Sequence, residues 1–190
     1  MVTGRMRYIV FDLEATCWKK RQMRGPQEVI EIGAVMLDEK GQVLDEYEQF
    51  IRPKVHPILS YFCTELTTIT QEMVENAPYF FEAIPQFQAW IGIHTHPYCL
   101  CSWGFFDKNL LTEQSIRYNM DLQWLGAHIS LKHQYPVLRG ATQSIGLKHA
   151  LKAEGFSLTG HHHRGIDDAR NTTKIFQSYL GKWTLPDGVK

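Results

Sequence analysis

The stretch Tyr8–Thr16, with the sequence YIVFDLEAT, constrains this chain more than any other. Its first half is a short run of aromatic and β-branched residues, which predicts a buried strand. Because side chains alternate along a strand, Asp12 and Glu14 share one face, while Phe11 and Leu13 share the other. Two neighbouring carboxylates at the end of a buried strand repel each other, and divalent cations prefer such oxygen ligands. The alternative is that both acids lie beyond the strand end, in water.

The length and charge of the chain bound its class. It has 190 residues, of which 44% are apolar and 21% are charged, as is ordinary for a soluble globular protein. This length favours a single domain, which we assign to residues 1–185, with a C-terminal tail at 186–190. Twenty basic residues balance twenty acidic ones, so no net charge attracts nucleic acid over long distances. A local basic patch could still do so.

The cysteines indicate a reducing environment. Cys17, Cys63, Cys99 and Cys101 do not have the spacing of metal ligands. We expect Cys99 and Cys101 on opposite faces of a strand, which argues against a bond between them. We find no signal peptide and no long apolar span. We therefore expect reduced thiols in a cytoplasmic protein that does not associate with membranes.

Three successive strands predict an antiparallel meander at the start of the chain. Residues 28–37 are apolar on both faces, as in a central strand, and residues 43–52 have the polar face of an edge strand. A turn at 38–41 joins these two strands. A fourth strand at 98–103 is approached from a helix, so we expect it to run parallel to the first.

Helical patterns dominate the rest of the chain. Residues 80–91 predict an amphipathic helix, with Pro85 in its first turn or at a kink. Thr70 can cap a short helix at 71–75. Further helices are predicted at 108–118, 144–154 and 166–180, and a short strand is predicted at 128–131. The alternation of strands and helices predicts an α/β fold.

A polar loop at 18–25 follows the first strand. Its basic residues are Lys19, Lys20, Arg21 and Arg24. The loop is either a solvated surface segment or an arm that contacts phosphate groups. Only its departure directly from the paired acids favours the second interpretation.

Three later residues have both an ordinary structural interpretation and a chemical one. Asp107 directly precedes a predicted helix and could be its N-cap. Asp168 lies in the first turn of the last helix, where the helix dipole favours a carboxylate. His163 taken alone is more often a surface or capping residue, and we assign that role to His161 and His162.

The order of these residues favours the chemical interpretation. Two acids at a strand end precede an acid after a later strand, and then the pattern H-x-x-x-x-D opens the C-terminal helix. Parallel strand ends in an α/β sheet converge on one crevice. Four carboxylates and a histidine there can hold two divalent ions and activate water. Two ions about 3.5–4 Å apart stabilise both the attacking and the leaving oxygen in phosphodiester cleavage.

Four motifs carry a resemblance to a known family. They are FDLEATC at 11–17, FCTELT at 62–67, SWG at 102–104 leading to Asp107, and HRGIDDA at 163–169. In this order they resemble the DEDD 3′–5′ exonucleases of the histidine subtype (DEDDh), particularly the Eri-type histone-mRNA exonucleases and their bacterial KapD-like relatives. The resemblance covers roughly residues 8–180. It implies a ribonuclease H-like α/β fold with a mixed five-stranded sheet flanked by helices.

The resemblance also implies roles for the acids and the histidine. Asp12 would bridge two Mg²⁺ or Mn²⁺ ions, and Glu14 and Asp168 would complete the metal site that holds the nucleophilic water. Asp107 would act on the second ion, mainly through water. His163 would be the general base, a role that the ordinary histidine pKa of about 6.5 suits.

The resemblance further implies a site for the terminal nucleotide of the substrate. The residues that match the family's nucleotide-holding positions are Ala15, Thr16, Leu66 and Thr67. Two features depart from the family pattern. The loop at 18–25 is unusually basic, and two bulky residues, Phe105 and Phe106, lie between Trp103 and Asp107.

Three functions follow from these observations. The first is a metal-dependent 3′–5′ exonuclease that releases nucleoside 5′-monophosphates from single-stranded nucleic acid, with RNA favoured. The second is a DNA 3′–5′ exonuclease or a proofreading-type subunit, because no short motif marks the 2′-hydroxyl contact. The third is a non-catalytic regulatory protein that binds nucleic acid, although a binder has no need of four acids and a base. Protein partners and the oligomeric state stay open.

Overall fold

The computed structural model describes residues 4–19 and 25–187, and its centre is a mixed five-stranded sheet. The strands are β1 (Arg7–Ala15), β2 (Val29–Leu37), β3 (Val43–Phe50), β4 (Tyr98–Ser102) and β5 (His128–Ser130), in the spatial order β3-β2-β1-β4-β5. The first three strands are antiparallel, whereas β4 runs parallel to β1 and to β5. The predicted meander, the edge position of β3 and the parallel fourth strand are confirmed.

Within residues 4–19 and 25–187, seven α-helices surround the sheet. They are α1 (Tyr61–Thr67), α2 (Gln71–Glu75), α3 (Phe80–Ile91), α4 (Phe106–Arg117), α5 (Leu131–Arg139), α6 (Leu147–Ala153) and α7 (Gly165–Ser178). Ser60 caps α1 and Thr70 caps α2, each accepting a backbone N–H in the first turn. Across residues 4–19 and 25–187, none of these helices has the length and apolar character needed to span a bilayer.

The alternation of side chains along β1 divides the core into two layers. Ile9, Phe11 and Leu13 pack with the apolar face of α3 and with α4. Val10 points the other way and packs with residues of α5, α6 and α7. Because Asp12 and Glu14 share the face of Val10, they point toward the layer that contains α7.

The helix α7 closely approaches the sheet at Gly33 of β2. A Cβ atom at Gly33 would lie 2.0 Å from the carbonyl carbon of Gly165 and 2.0 Å from the nitrogen of Ile166. Only glycine leaves room for this contact. The start of α7 therefore lies directly on the sheet, close to the end of β1.

Four local predictions differ from the structure. Cys99 and Cys101 lie on the same face of β4, because residues two apart on a strand point the same way. Pro85 lies in the second turn of α3, which excludes the first-turn alternative and leaves the kink as a prediction. Leu131 begins a helix instead of ending a strand. The helix predicted from residue 144 begins at Leu147, because Gly146 has the extended backbone of an N-cap.

Candidate active site

The end of β1 brings three carboxylates together. Asp12 lies opposite Gly33 on β2, and Glu14 lies opposite Glu31. Asp168, in the first turn of α7, faces both acids because α7 begins directly above Gly33. One oxygen from each of Asp12, Glu14 and Asp168 lies within 4.8 Å of the others. The alternative that Asp12 and Glu14 lie beyond the strand end is wrong, since both belong to β1.

The loop before α7 is held against Asp168. The backbone N–H of His163 donates to Asp168 Oδ2 over 3.0 Å. The backbone of His163 lies in the left-handed region, with a φ of 66°. A non-glycine residue rarely adopts this conformation, and such residues cluster at functional sites. The side chain of His163 is half-buried and lines the same cavity as the acids.

Asp107 reaches the site from the opposite layer. It lies in the first turn of α4, whose N-cap is Phe105, so the N-cap interpretation of Asp107 is wrong. Its Oδ1 accepts the backbone N–H of Leu13 over 3.1 Å. The fourth acid is thereby attached to the strand between Asp12 and Glu14.

A cavity of about 340 Å³ joins these groups. It contains all five side chains for which the resemblance implies a catalytic role. The lining residues are Asp12, Leu13, Glu14, Trp103, Phe106, Asp107, Gly146, Leu147, His162, His163 and Asp168. Phe106, one of the two bulky residues that depart from the family pattern, therefore forms part of the wall.

Burial and the charges of neighbouring carboxylates raise the pKa of Asp12, Glu14 and Asp107. Burial, followed by the charges of Asp107, Glu14 and Asp168, raises the pKa of Asp12 well above its ordinary value. Burial and the neighbouring carboxylates, Glu31 first among them, raise the pKa of Glu14 to about 9. Burial raises the pKa of Asp107 to about 6, although hydrogen bonds, including the one from Leu13, oppose the shift.

This arrangement fits a site for divalent cations. Burial and the charges of the neighbouring carboxylates both push the pKa of Asp12 upward, and a bound cation would offset this repulsion. Oxygen ligands of this kind suit Mg²⁺ and Mn²⁺. Asp12, Glu14 and Asp168 would hold the ion, and Asp107 would face it across the cavity.

The histidines of the loop at 160–165 do not all match their predicted roles. His161 is exposed, as predicted. His162 is not a simple surface residue, because its Nδ1 lies 3.0 Å from both carboxylate oxygens of Asp168 and its ring stacks on His163 at 4.0 Å. Burial, with a smaller effect of the neighbouring His162, lowers the pKa of His163.

The four residues predicted to hold a terminal nucleotide lie beside the cavity and do not line it. Ala15 and Thr16 are buried at the end of β1, where Thr16 Oγ1 accepts the backbone N–H of Glu28 over 3.0 Å. Leu66 is half-buried on α1. Thr67 is buried, and its hydroxyl donates to the carbonyl of Cys63 over 2.8 Å. Both threonine hydroxyls are therefore buried and already bonded within the protein.

The sequence analysis predicted no role in the site for two residues that lie near it. Glu31 lies within an apolar strand, where its acidic side chain is the only local signal. His162 was set aside because it lacks the H-x-x-x-x-D spacing to Asp168. The basic loop cannot be compared in full, since Lys20, Arg21 and Arg24 lie outside the described residues, while Lys19 is exposed.

The fold and the site together define a class. A mixed five-stranded sheet with carboxylates at the ends of its central strands, facing another acid and a histidine at a helix start, has the architecture of ribonuclease H-like nucleases. The RNase_T exonuclease family model matches residues 9–176. The chain belongs to this exonuclease family.

Known proteins give the same result. The nuclease domain of 3′hExo, described as a DEDDh family member bound to rAMP, superposes with a TM-score of 0.89 at 25% identity, covering 98% of this chain and 99% of that chain. ERI1 exoribonuclease 2 from Xenopus laevis is 32% identical over 189 residues, covering 88% of this chain. The PolC-type DNA polymerase III of Clostridium perfringens is 34% identical over 177 residues, covering 90% of this chain.

The full-length relatives are much longer than this chain. The match covers 27% of ERI1 exoribonuclease 2 and 11% of the PolC-type polymerase. The similarity therefore concerns only part of each of these proteins.

Proposed function

We propose that this protein is a metal-dependent 3′–5′ exonuclease that releases nucleoside 5′-monophosphates from single-stranded RNA. One observation carries this function above the others. Oxygens of Asp12, Glu14 and Asp168 lie within 4.8 Å of one another, in a cavity that also contains Asp107 and His163. A binding protein would pay a cost in charge repulsion for such a cluster and gain nothing from it.

The chain's own residues divide the chemical work. Asp12, Glu14 and Asp168, with Asp107, would hold two Mg²⁺ or Mn²⁺ ions, which would supply charge stabilisation for the attacking and leaving oxygens of the phosphodiester. The carboxylates of Asp12 and Glu14 are positioned by β1, that of Asp168 by α7, and that of Asp107 by α4. His163 accepts the proton of the attacking water, for which a neutral imidazole is required. Its lowered pKa keeps that form populated at neutral pH.

The end of β1 and the helix α1 are the proposed site for the terminal nucleotide. Cys63 Sγ contacts the carbonyl of Ala15 at 3.5 Å, so α1 lies directly against the strand that carries the acids. The backbone at Ala15 and Thr16 and the half-buried side chain of Leu66 would hold a sugar and a base. A single-stranded end can enter such a site without the cost of unpairing, and stacking in single-strand binders contributes about 1–3 kcal/mol per base.

RNA is the favoured substrate, and DNA is the second candidate. The exoribonuclease named among the relatives and the rAMP bound to the structural neighbour favour RNA. The PolC-type DNA polymerase favours DNA and a proofreading role, with similar identity.

Matched oligonucleotides test the function. Single-stranded RNA and DNA of one sequence, each labelled at the 5′ end, are incubated with the protein in Mn²⁺, in Mg²⁺ and in EDTA. We expect shortening from the 3′ end in either metal, faster on RNA, and none in EDTA. Faster cleavage of DNA would favour the second candidate. Binding without cleavage in both metals would overturn the enzymatic function.

A further inference from the structure

Glu31 is an acidic residue of the site region with no role in the chemistry described above. It lies on β2 directly opposite Glu14, and its side chain has no solvent exposure. It belongs neither to the group of carboxylates that could hold a metal ion nor to the lining of the cavity. A buried acid needs partners that offset its loss of hydration, and those partners indicate what it does.

The partners of Glu31 lie at the start of α7. Glu31 Oε2 accepts the backbone N–H of Gly165 over 2.9 Å and the Nε–H of Arg164 over 3.2 Å. Gly165 is the first residue of α7, where backbone N–H groups have no partner within the helix. The carboxylate therefore binds the helix start through both a backbone and a side-chain donor.

The start of α7 also has little room to move. A Cβ at Gly165 would lie 3.1 Å from the carbonyl oxygen of Asp12 and 3.4 Å from the carboxylate carbon of Glu31. On the other side, Arg164 reaches Glu48 of β3 over 2.7 Å and lies over the ring of Phe50 at 5.3 Å. Glu48 is exposed, whereas Glu31 is buried, so Glu31 holds the inner side of this junction.

We infer that Glu31 is a positioning residue, which fixes the start of α7 so that His163 and Asp168 face Asp12 and Glu14. His163 precedes the anchored pair Arg164 and Gly165 by one residue, and Asp168 follows it by three. A shift of this short segment moves both side chains relative to β1. For the reaction itself, this inference rests on the proposed exonuclease function.

Two substitutions of Glu31 separate the hydrogen bond to Gly165 from the charge that pairs with Arg164. Glu31→Gln keeps an oxygen that can accept the N–H of Gly165 but loses the charge that pairs with Arg164. Glu31→Ala loses both. Glu48→Ala is the matched control, because it removes only the exposed partner of Arg164 and leaves the buried one.

Kinetics and metal binding are measured at a temperature where circular dichroism shows every variant folded. For Glu31→Ala we expect kcat and Mn²⁺ affinity to fall by about 10–100-fold, as is typical when a residue that orients a metal ligand is lost. KM for the oligonucleotide should change little. Glu31→Gln should recover much of the loss, and Glu48→Ala should resemble the wild type.

Hydrogen exchange at the amide of Gly165 gives a readout that needs no activity. We expect faster exchange in Glu31→Ala and nearly normal protection in Glu31→Gln. If Glu31→Ala fails to fold, Glu31→Gln and Arg164→Ala decide, and both should lower kcat more than Glu48→Ala does. A folded Glu31→Ala protein with wild-type kcat and Mn²⁺ affinity would overturn the inference. So would a Glu31→Gln protein that loses metal as fully as Glu31→Ala while Gly165 stays protected, because Glu31 would then act as a ligand.

Failure of the inference and failure of the proposed function are distinguishable. A wild-type protein that cleaves no nucleic acid would remove the proposed function. The Mn²⁺ affinities and the exchange of the Gly165 amide would still show whether Glu31 fixes the start of α7.

Discussion

Asp107 Oδ1 accepts the backbone N–H of Leu13, which lies between Asp12 and Glu14 on β1. This bond exists because β1 is longer than its parallel neighbour. The pairing of β1 with β4 extends only from Arg7 to Val10, so no strand among the described residues pairs with this edge of β1 beyond Val10. Asp107 satisfies one of the free N–H groups there and is fixed against the other acids of the site.

Substitution of Asp107 should separate this structural role from the chemical one. Asp107→Asn keeps an oxygen that accepts the N–H of Leu13, so the free energy of unfolding of the metal-free protein should be no lower than that of the wild type. Asp107→Ala leaves the N–H unpaired and should lower it by about 1–3 kcal/mol. Both variants should lose most metal-supported cleavage, since both lack the charge. Urea denaturation beside single-turnover cleavage measures the two effects. Equal stability of the two variants would contradict this role of the Leu13 bond.

Removal of charge at Asp12 should stabilise the metal-free protein. Folding raises the pKa of Asp12 well above its ordinary value and that of Glu14 to about 9. The folded state then keeps protons that the unfolded chain loses above pH 4.5, the ordinary value for Glu14. The stability of the metal-free protein should therefore fall as the pH rises from there toward 9.

Thermal unfolding in EDTA at about pH 5 and about pH 8 tests this sign. Asp12→Asn should raise Tm at the higher pH and flatten the pH dependence. Added Mn²⁺ should stabilise the wild type at the higher pH but have little effect on Asp12→Asn. A metal-free wild type whose stability rises over this interval would contradict the electrostatic account.

Loss of His163 should slow cleavage without loss of metal binding. His163→Ala removes the proposed base, and its rate should fall by about 10²–10⁴-fold. His161→Ala is the control, because His161 is exposed, and its rate should stay near that of the wild type. His162→Ala should have a smaller effect than His163→Ala, although His162 contacts Asp168.

The pH dependence of the rate gives a second test of His163. Because burial lowers the pKa of His163 below its ordinary 6.5, the wild-type rate should rise with pH over a range centred below that value. His163→Ala should lack this rise. Calorimetric Mn²⁺ titration and single-turnover rates across pH measure both effects. A His163→Ala protein that loses its metal, or that cleaves at the wild-type rate, would remove the assignment as general base.

The close approach of α7 to β2 predicts an intolerant glycine. Gly33→Ala places a Cβ 2.0 Å from backbone atoms of Gly165 and Ile166, so α7 must move away from the sheet. Overpacking typically costs about 1–3 kcal/mol, and a clash with backbone atoms should reach the upper end or exceed it. Gly146→Ala is the control, because its nearest contact would be at 4.0 Å. Chemical denaturation of both variants measures the difference, and a wild-type stability for Gly33→Ala would contradict the packing.

Much of the fold could be predicted because local pattern and topology agree. Apolar alternation marks β1 and β2, and a helix before residue 98 favours a β4 that runs parallel to β1. Element starts were harder to predict. Residues 144–146 fit a helical pattern, but Gly146 adopts an extended conformation that only the structure reveals.

The residues of the candidate site could be predicted from the sequence, but the contacts between them could not. Motif order predicted that Asp12, Glu14, Asp107, His163 and Asp168 would share one cavity, and they do. The bond from Leu13 to Asp107 joins residues 94 positions apart, and the pair of Glu31 with Arg164 joins residues 133 positions apart. Nothing local in β2 distinguishes a buried anchor for α7 from an ordinary strand residue. Likewise, the sequence does not show that the hydroxyl of Thr67 forms a hydrogen bond within α1, to the carbonyl of Cys63.

Product analysis on a linear RNA and a circular RNA of the same sequence tests the central claim most directly. In Mn²⁺, the wild type should convert the linear RNA stepwise from its free 3′-hydroxyl end into nucleoside 5′-monophosphates and should leave the circle intact. The Asp12→Asn protein should leave both intact. Rapid cleavage of the circle by the wild type, or undiminished cleavage of the linear RNA by Asp12→Asn, would contradict a 3′-end exonuclease built on this cluster of acids.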